Sequence, residues 1–335
     1  MWRNPWMMTA GGAAAIAAAA GAQPPAKADK GPDTKVMQVQ VILDHLGFSP
    51  GVVDGKAGQS LRLAVKGFQK ANGLTPTGQV DAETAKALQH YGATPPVASV
   101  KLTAADFAGP FVGPIPHGED KQAKLPSLGY QNVLEMLSER YHTTPGTLIA
   151  LNSPQTKLSP GVTIRVPNVA TSERDYPAGL KDTWKQTLAG LNVSSDQPRA
   201  DHITVDKSDK ALSVYDANGK LVAQFPVTTG STHDPLPIGH WKIDAIDYNP
   251  KFHYNPKLFW DAKSTDKKAT LQPGPNGPVG VVWMDLTKPH YGIHGTPVPK
   301  NIGRTQSHGC VRLTNWDAAR LSLMVKVGTR VIFQP

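Results

Sequence analysis

The spacing of apolar residues in this 335-residue chain changes period once, and that change decides what each part can fold into. Near the start, Val36, Val39, Ile42, Leu43 and Leu46 recur at three and four, one face of an amphipathic helix that Gly47 can stop. From Asp201 the recurrence is two: Ile203 and Val205, then Leu212 and Val214, then Leu221, Phe225 and Val227 beyond an Asn218-Gly219 turn. Asn-Gly between alternating apolar runs is a strong hairpin signal. A helical beginning and a β-rich end fit a multi-domain chain, of two to three domains at roughly 150 residues each.

Between these ends the pattern is broken by turn residues, with 31 Gly and 30 Pro in the chain. Ser60 can cap a second helix with Leu61, Ala64, Val65 and Phe68 inward, and Asp81 a third with Ala85 and Leu88 inward. Residues 91–125 lose periodicity and read as a linker. Within 126–170, Val133, Leu134, Leu137 and Tyr141 suggest one helix, and Thr144-Pro145 opens another through Leu148 and Leu151. The alternation of residues 162–168 then suggests a strand. Residues 171–200 read as a linker with a short helix. In 201–334, further strands are predicted at 241–246, 279–284, 291–294 and 329–333, with one helix capped near Asn315.

At the N-terminus, Arg3, an apolar run over 7–20 and the small residues Ala20-Gly21-Ala22 read as a signal peptide over 1–22, followed by a linker over 23–35. The run is shorter than the about 20 residues a membrane span needs. This predicts export, to the periplasm or cell wall. The formal charge of +9 favours an anionic surface partner. Nucleic acid is not predicted, because the basic residues are scattered and no reader motif is present.

Three segments carry resemblances. Leu46-Gly47-Phe48, Val53-Asp54-Gly55, Ala64-Val65, Phe68-Gln69, Gly73-Leu74, Thr77-Gly78 and Thr84 make residues 36–90 resemble the peptidoglycan-binding type 1 domain, a small three-helix module. Residues 126–170 are similar to a degenerate LysM domain, a small α+β module; that family's first strand is not legible before Gly129. Gly292-Ile293-His294-Gly295-Thr296 with Ser307-His308-Gly309-Cys310-Val311-Arg312 makes residues 201–334 resemble the YkuD-type L,D-transpeptidase catalytic domain, a mostly antiparallel β-sandwich.

Cys310 is the one cysteine in the chain, so no intramolecular disulfide can explain it and a reactivity argument is needed. A free thiol has a pKa of about 8.5 and is little ionised near neutrality. A neighbouring His294 can take its proton, giving a thiolate–imidazolium pair, and return it to a departing amine. Gly309 lets backbone approach the substrate, so that its amide and that of Cys310 face the developing oxyanion. The resemblance implies that the Gly295 carbonyl orients His294. For His308 the reading favours support behind the nucleophile or an oxyanion contact over a general base, and for Ser307 a hydroxyl that supports the loop. Arg312 reads as a ligand for a substrate carboxylate or as half of a buried ion pair, and Tyr291 as a wall of the site. His290, His294, His308 and Cys310 show no paired metal-ligand spacing, so neither metal nor cofactor is expected.

The resemblance further implies that Cys310 attacks the third residue of a peptidoglycan stem tetrapeptide, releases D-Ala and passes the acyl group to an amine. That amine belongs to a second stem, giving a 3-3 cross-link, or to an envelope-protein lysine. Water in its place gives a carboxypeptidase, and cleavage of existing links an endopeptidase. Glycan strands are the implied partners of the N-terminal modules, and carbapenem-type inhibitors of the thiol. A wall-binding scaffold with an idle catalytic domain is the alternative from another class. Residues 247–275, rich in Lys, Pro and aromatics, are the expected lid.

Overall fold

The computed structural model describes residues 31–335, which form one compact unit. The signal segment read at 1–22 and most of the 23–35 linker lie outside the described residues. Three helices come first: α1 (Thr34–His45), α2 (Gln59–Ala71) and α3 (Ala82–Gln89). The Asp33 carboxylate accepts from the Lys35 and Val36 amides, and Asp81 from the Thr84 amide, so α1 and α3 have side-chain caps. In α2 the cap is Gly58 and Ser60 sits inside the first turn, which corrects the expected boundary.

The second module departs most from the reading. β1 (Val97–Lys101) lies within the stretch read as a linker and pairs antiparallel with β2 (Thr163–Pro167), from Val97↔Pro167 to Lys101↔Thr163. A Pro- and Gly-rich excursion carrying the four-residue α4 (Glu119–Gln122) separates β1 from α5 (Val133–Arg140) and α6 (Pro145–Leu151). That separation hid the strand, because its paired residues, from Val97↔Pro167 to Lys101↔Thr163, are 70 to 62 positions apart and no turn signal links them. Thr144 caps α6 with Pro145 at its first position, as predicted. The core of this module, with Leu137, Leu148, Ile164 and Val166, also contains Met37 and Val41 of α1. The two small modules therefore share one apolar interior.

The short helix read within 171–200 is α7 (Asp182–Gly190), which buries Trp184 and Leu188 in the core of the C-terminal domain. Trp184 stacks on Tyr248 with ring centroids 4.7 Å apart.

The β-rich domain contains β3 (His202–Asp206), β4 (Ala211–Tyr215), β5 (Leu221–Pro226), β6 (Gly239–Tyr248), β7 (Phe252–Tyr254), β8 (Ala269–Leu271), β9 (Val282–Leu286), β10 (Gly292–His294), β11 (Val311–Arg312) and β12 (Arg330–Gln334), with α8 (Asn315–Met324) between the last two. Eight strands form one sheet in the order β11-β10-β9-β6-β12-β3-β4-β5. Only β10/β11 and β12/β3 are parallel; the other neighbours run antiparallel. The long β6 joins the two halves, and an irregularity at Ile243/Ala245 adds local twist where the sheet curls. α8 is buried nearly all round, with Trp316, Ala318, Ala319 and Leu321 against the sheet. Its cap is Thr314, so Asn315 is the first helical residue and its side chain is free for other work.

The first module closes the far edge of this sheet. Gln224 of β5 donates its amide to the Gly47 carbonyl at 3.0 Å and accepts from the Ser49 amide at 2.8 Å. Unpaired edge groups are thereby satisfied. Leu221 of β5 belongs to the same apolar cluster as Phe48, Val65 and Phe68. Deeper in the junction, Asp44 of α1 meets the His142 Nδ1 at 3.0 Å and accepts from the Arg320 guanidinium of α8 at 3.3 Å. Burial alone would raise the Asp44 carboxyl, yet His142 and Arg320 beside it hold it well below the usual carboxylate range.

The excursion between β1 and α5 docks on the expected lid. Leu128, Tyr254 and Leu271 form a small buried cluster under the β7/β8 ribbon. The Leu128 amide donates to the Pro273 carbonyl and the Asn276 amide to the Leu128 carbonyl, each at 2.9 Å. Gly274 has φ +151°, and a Cβ there would lie 2.1 Å from the Leu128 backbone oxygen, which cannot turn aside. Gly274→Ala is expected to cost about 1–3 kcal/mol from backbone strain alone. Limited proteolysis should then show earlier cutting in 255–268, and an unchanged digestion pattern would contradict this docking.

Candidate active site

Cys310 leads directly into β11, and His294 ends β10. The two strands run parallel, with Ile293 opposite Val311 and His294 opposite Arg312. A second line of hydrogen bonds holds the nucleophile segment from its other side. Thr228 and Arg312 exchange amide–carbonyl bonds at 2.8 and 3.0 Å, and the Ser307 amide donates to the Thr229 carbonyl at 3.0 Å. The Ser307 hydroxyl donates back to the Cys310 carbonyl at 2.6 Å, tying the turn to itself.

His294 is buried on three sides. Trp283 of β9 stacks on its ring at 5.3 Å. Gly292 allows this, since a Cβ there would fall 2.4 Å from the Trp283 ring. The ring nitrogen Nδ1 lies 2.7 Å from the Gly295 carbonyl. A carbonyl can only accept, so Nδ1 carries the proton and Nε2 is left with its lone pair. Burial, and then the Arg312 guanidinium, push the imidazole down to about 3, the Gly295 bond only partly opposing them.

Burial also pushes the Cys310 thiol up, against the lowering influence of the Gly292 amide and Arg312. Burial thus works against the charged pair expected from sequence, disfavouring the thiolate and the imidazolium alike. Arg312 is itself depressed by burial, its Nε has no hydrogen-bond partner, and it has no salt bridge among the described residues. The ion-pair alternative raised for it from sequence has no counterpart here.

Gly309 has φ +101°, a left-handed conformation suited to glycine, and a Cβ there would meet the Tyr291 ring at 2.6 Å. Tyr291 thus lies against the nucleophile turn. His308 points toward the lid: its Nε2 is 2.9 Å from Asp261 Oδ1, and Phe259 meets its ring edge-on at 5.2 Å. Among the described residues no three of His, Cys, Asp or Glu gather as a metal-holding set.

Sequence reading missed Trp283, Asp261 and Asn315 as members of the site. Trp283 was legible only as part of a strand, and Asp261 only as part of a lid. Asn315 was read as a cap, yet its Oδ1 accepts from the Val281 amide at 3.3 Å and fills the space where glycines at 280 and 295 lack side chains.

The structure thus brings a lone thiol and a tautomer-locked imidazole onto adjoining strands. Comparison with known families matches residues 200–333 to the YkuD L,D-transpeptidase catalytic domain and residues 32–88 to a peptidoglycan-binding domain. Over 165 residues the chain is 33% identical to an L,D-transpeptidase from the ATP synthase subunits region (ORF 5) of Fuscovulum blasticum, covering 46% of this chain and 85% of that one. Over 133 residues it is 32% identical to the L,D-transpeptidase YkuD of Bacillus licheniformis, covering 40% of this chain and 65% of that protein's length. An L,D-transpeptidase structure from Mycobacterium smegmatis aligns with 22% identity and a TM-score of 0.33, over 40% of this chain and 58% of that one. The chain belongs to the YkuD-type L,D-transpeptidase family and carries an N-terminal peptidoglycan-binding domain.

Proposed function

We propose that this protein is an exported peptidoglycan L,D-transpeptidase working in the cell wall or periplasm. Cys310 Sγ attacks the carbonyl of the third residue of a stem tetrapeptide while His294 Nε2 takes the thiol proton. The tetrahedral oxyanion is met by the Gly309 and Cys310 amides. As it collapses, the C–N bond to the terminal D-Ala breaks and the imidazolium gives its proton to the leaving amine. The resulting thioester is then attacked by an acceptor amine, and His294 removes that amine's proton as the thiol is released. The observation that carries this reading is the bond from His294 Nδ1 to the Gly295 carbonyl, which leaves Nε2 with its lone pair on the strand that adjoins Cys310.

Arg312 is proposed to receive a substrate carboxylate, since its charge is half-buried and without a salt bridge. His308 is proposed to hold the lid segment over the nucleophile through Asp261. The second module is proposed to bind glycan in the groove of about 140 Å³ that Leu134, Ile149, Asn152 and Thr156 help to line. The net charge of +9 suits an anionic wall polymer.

Mass spectrometry of purified muropeptides incubated with the full chain tests the reaction. Loss of D-Ala together with new dimers is the expected result. D-Ala loss without dimers would make the protein a carboxypeptidase, and dimer breakdown an endopeptidase. No change with any muropeptide, together with retained binding to sacculi, would favour the scaffold alternative.

A further inference from the structure

A carboxylate from the second module reaches the floor of the site. Glu139 of α5 is buried, and both of its oxygens accept from the Asn315 side-chain amide, at 2.9 and 3.0 Å. The two residues are 176 positions apart. Asn315 Nδ2 also donates to the Pro275 carbonyl at 3.1 Å. With its nitrogen held on that side, its Oδ1 is turned to the Val281 amide and against the backbone at 280 and 295. A Cβ on Gly295 would lie 2.3 Å from this oxygen, and one on Gly280 2.0 Å from it. The far side of Gly295 is the carbonyl that holds His294. A chain of contacts thus runs from Glu139 through Asn315 and Gly295 to the imidazole.

We infer that Glu139 is a positioning residue for the acyl-transfer reaction, fixing the Asn315 amide so that the Gly295 carbonyl holds His294 with Nε2 toward Cys310. The second module then completes the active site in addition to any glycan it binds. The inference rests on the transpeptidase reading above. Two features favour it over simple packing. A carboxyl group, charged or not, is an expensive way to fill a buried space unless its hydrogen bonds are needed. Here both oxygens are spent on the one amide that touches the catalytic backbone, with the Tyr130 hydroxyl also donating to Oε2 at 3.3 Å. Burial raises the Glu139 carboxyl to about 8, so near neutrality it is an uncharged acceptor, which a glutamine can imitate.

The test follows acylation of Cys310 in the full chain by a carbapenem, resolved into affinity, acylation rate constant and final labelled fraction. Glu139→Leu keeps apolar volume and removes the acceptor. It is expected to slow the acylation step about tenfold at unchanged affinity, as small misplacements of catalytic groups do. Glu139→Gln should recover most of that rate. A merely structural role would lower the labelled fraction while leaving the rate constant of the surviving protein alone. If Glu139→Leu does not fold, Glu139→Met, Asn315→Ala and their combination carry the same question. Action through Asn315 requires the combination to be no slower than Asn315→Ala, because two changes along one path are not additive. Wild-type rates in Glu139→Leu, or additive losses in the combination, would overturn the inference alone. A wild-type protein that never forms the adduct would instead overturn the transpeptidase reading, and this inference with it.

Discussion

Cys310→Ala is expected to abolish acyl transfer, by on the order of 10⁶-fold as for loss of the nucleophile in other acyl-enzymes. It should also remove all labelling by thiol reagents and carbapenems, since the chain has no second cysteine. Stability should hold within about 0.5 kcal/mol, because Cys310 is only half-buried by surface area and lies outside the apolar core. The sulfur's polar neighbours, the Gly292 amide and the His290 carbonyl at 3.9 Å, are weak partners for a thiol and do not anchor the fold. Muropeptide turnover and intact-mass labelling of the purified variant check both halves of this. Residual turnover above a hundredth of wild type would show that another group can act as nucleophile, and the site assignment would fail. Retained turnover with lost labelling would show that the thiol is accessible but idle.

The elements legible in the sequence were those whose signal is local. Asp33, Asp81 and Thr144 each cap a helix beside its apolar face, and Asn218-Gly219 sits between two runs of period two. The His294 and Cys310 motifs were legible for a similar reason, because each concentrates rare residue types in a few positions. What stayed hidden depends on contact between distant segments. β1 is a strand because β2 pairs with it, and α7 is a core helix because Trp184 finds Tyr248. Neither fact is written within a window of ten residues. Asp261 meets His308, and Glu139 meets Asn315, only across 47 and 176 residues of sequence. Periodicity reports which face of an element is apolar and is silent on which other element will cover it.

The same limit explains the charge state of the pair. Two residue names, Cys and His, suggested a thiolate beside an imidazolium, and that is what adjacency alone would favour. The folded chain adds burial by Trp283 and a nearby Arg312, and both work against a charged imidazole. In the proposed reaction the cost of separating charge would fall at the moment when a substrate carbonyl can spread it into the backbone amides. A resting thiol of this kind is also less open to chance oxidation, because the thiolate is the reactive form.

His294→Ala is expected to slow acylation of Cys310 by about 10²–10⁴-fold, the usual contribution of a positioned base. The pH dependence makes the prediction specific. In the wild-type protein the competent form is the neutral thiol with the neutral imidazole. That form persists above the His294 value of about 3 and below the raised thiol value, so acylation should be flat from about pH 5 to 8. Alkylation by iodoacetamide needs the thiolate and should instead climb with pH through the same range. The sign would be opposite for a preformed ion pair, in which alkylation would already be at its plateau near neutrality. Without the imidazole, acylation must wait for the thiol to ionise, so the flat profile should turn into one rising about tenfold per pH unit. Stopped-flow acylation and iodoacetamide rates measured on the same samples decide it. A wild-type alkylation rate that does not change between pH 5 and 8 would show that the pair is charged at rest and that burial does not govern this site.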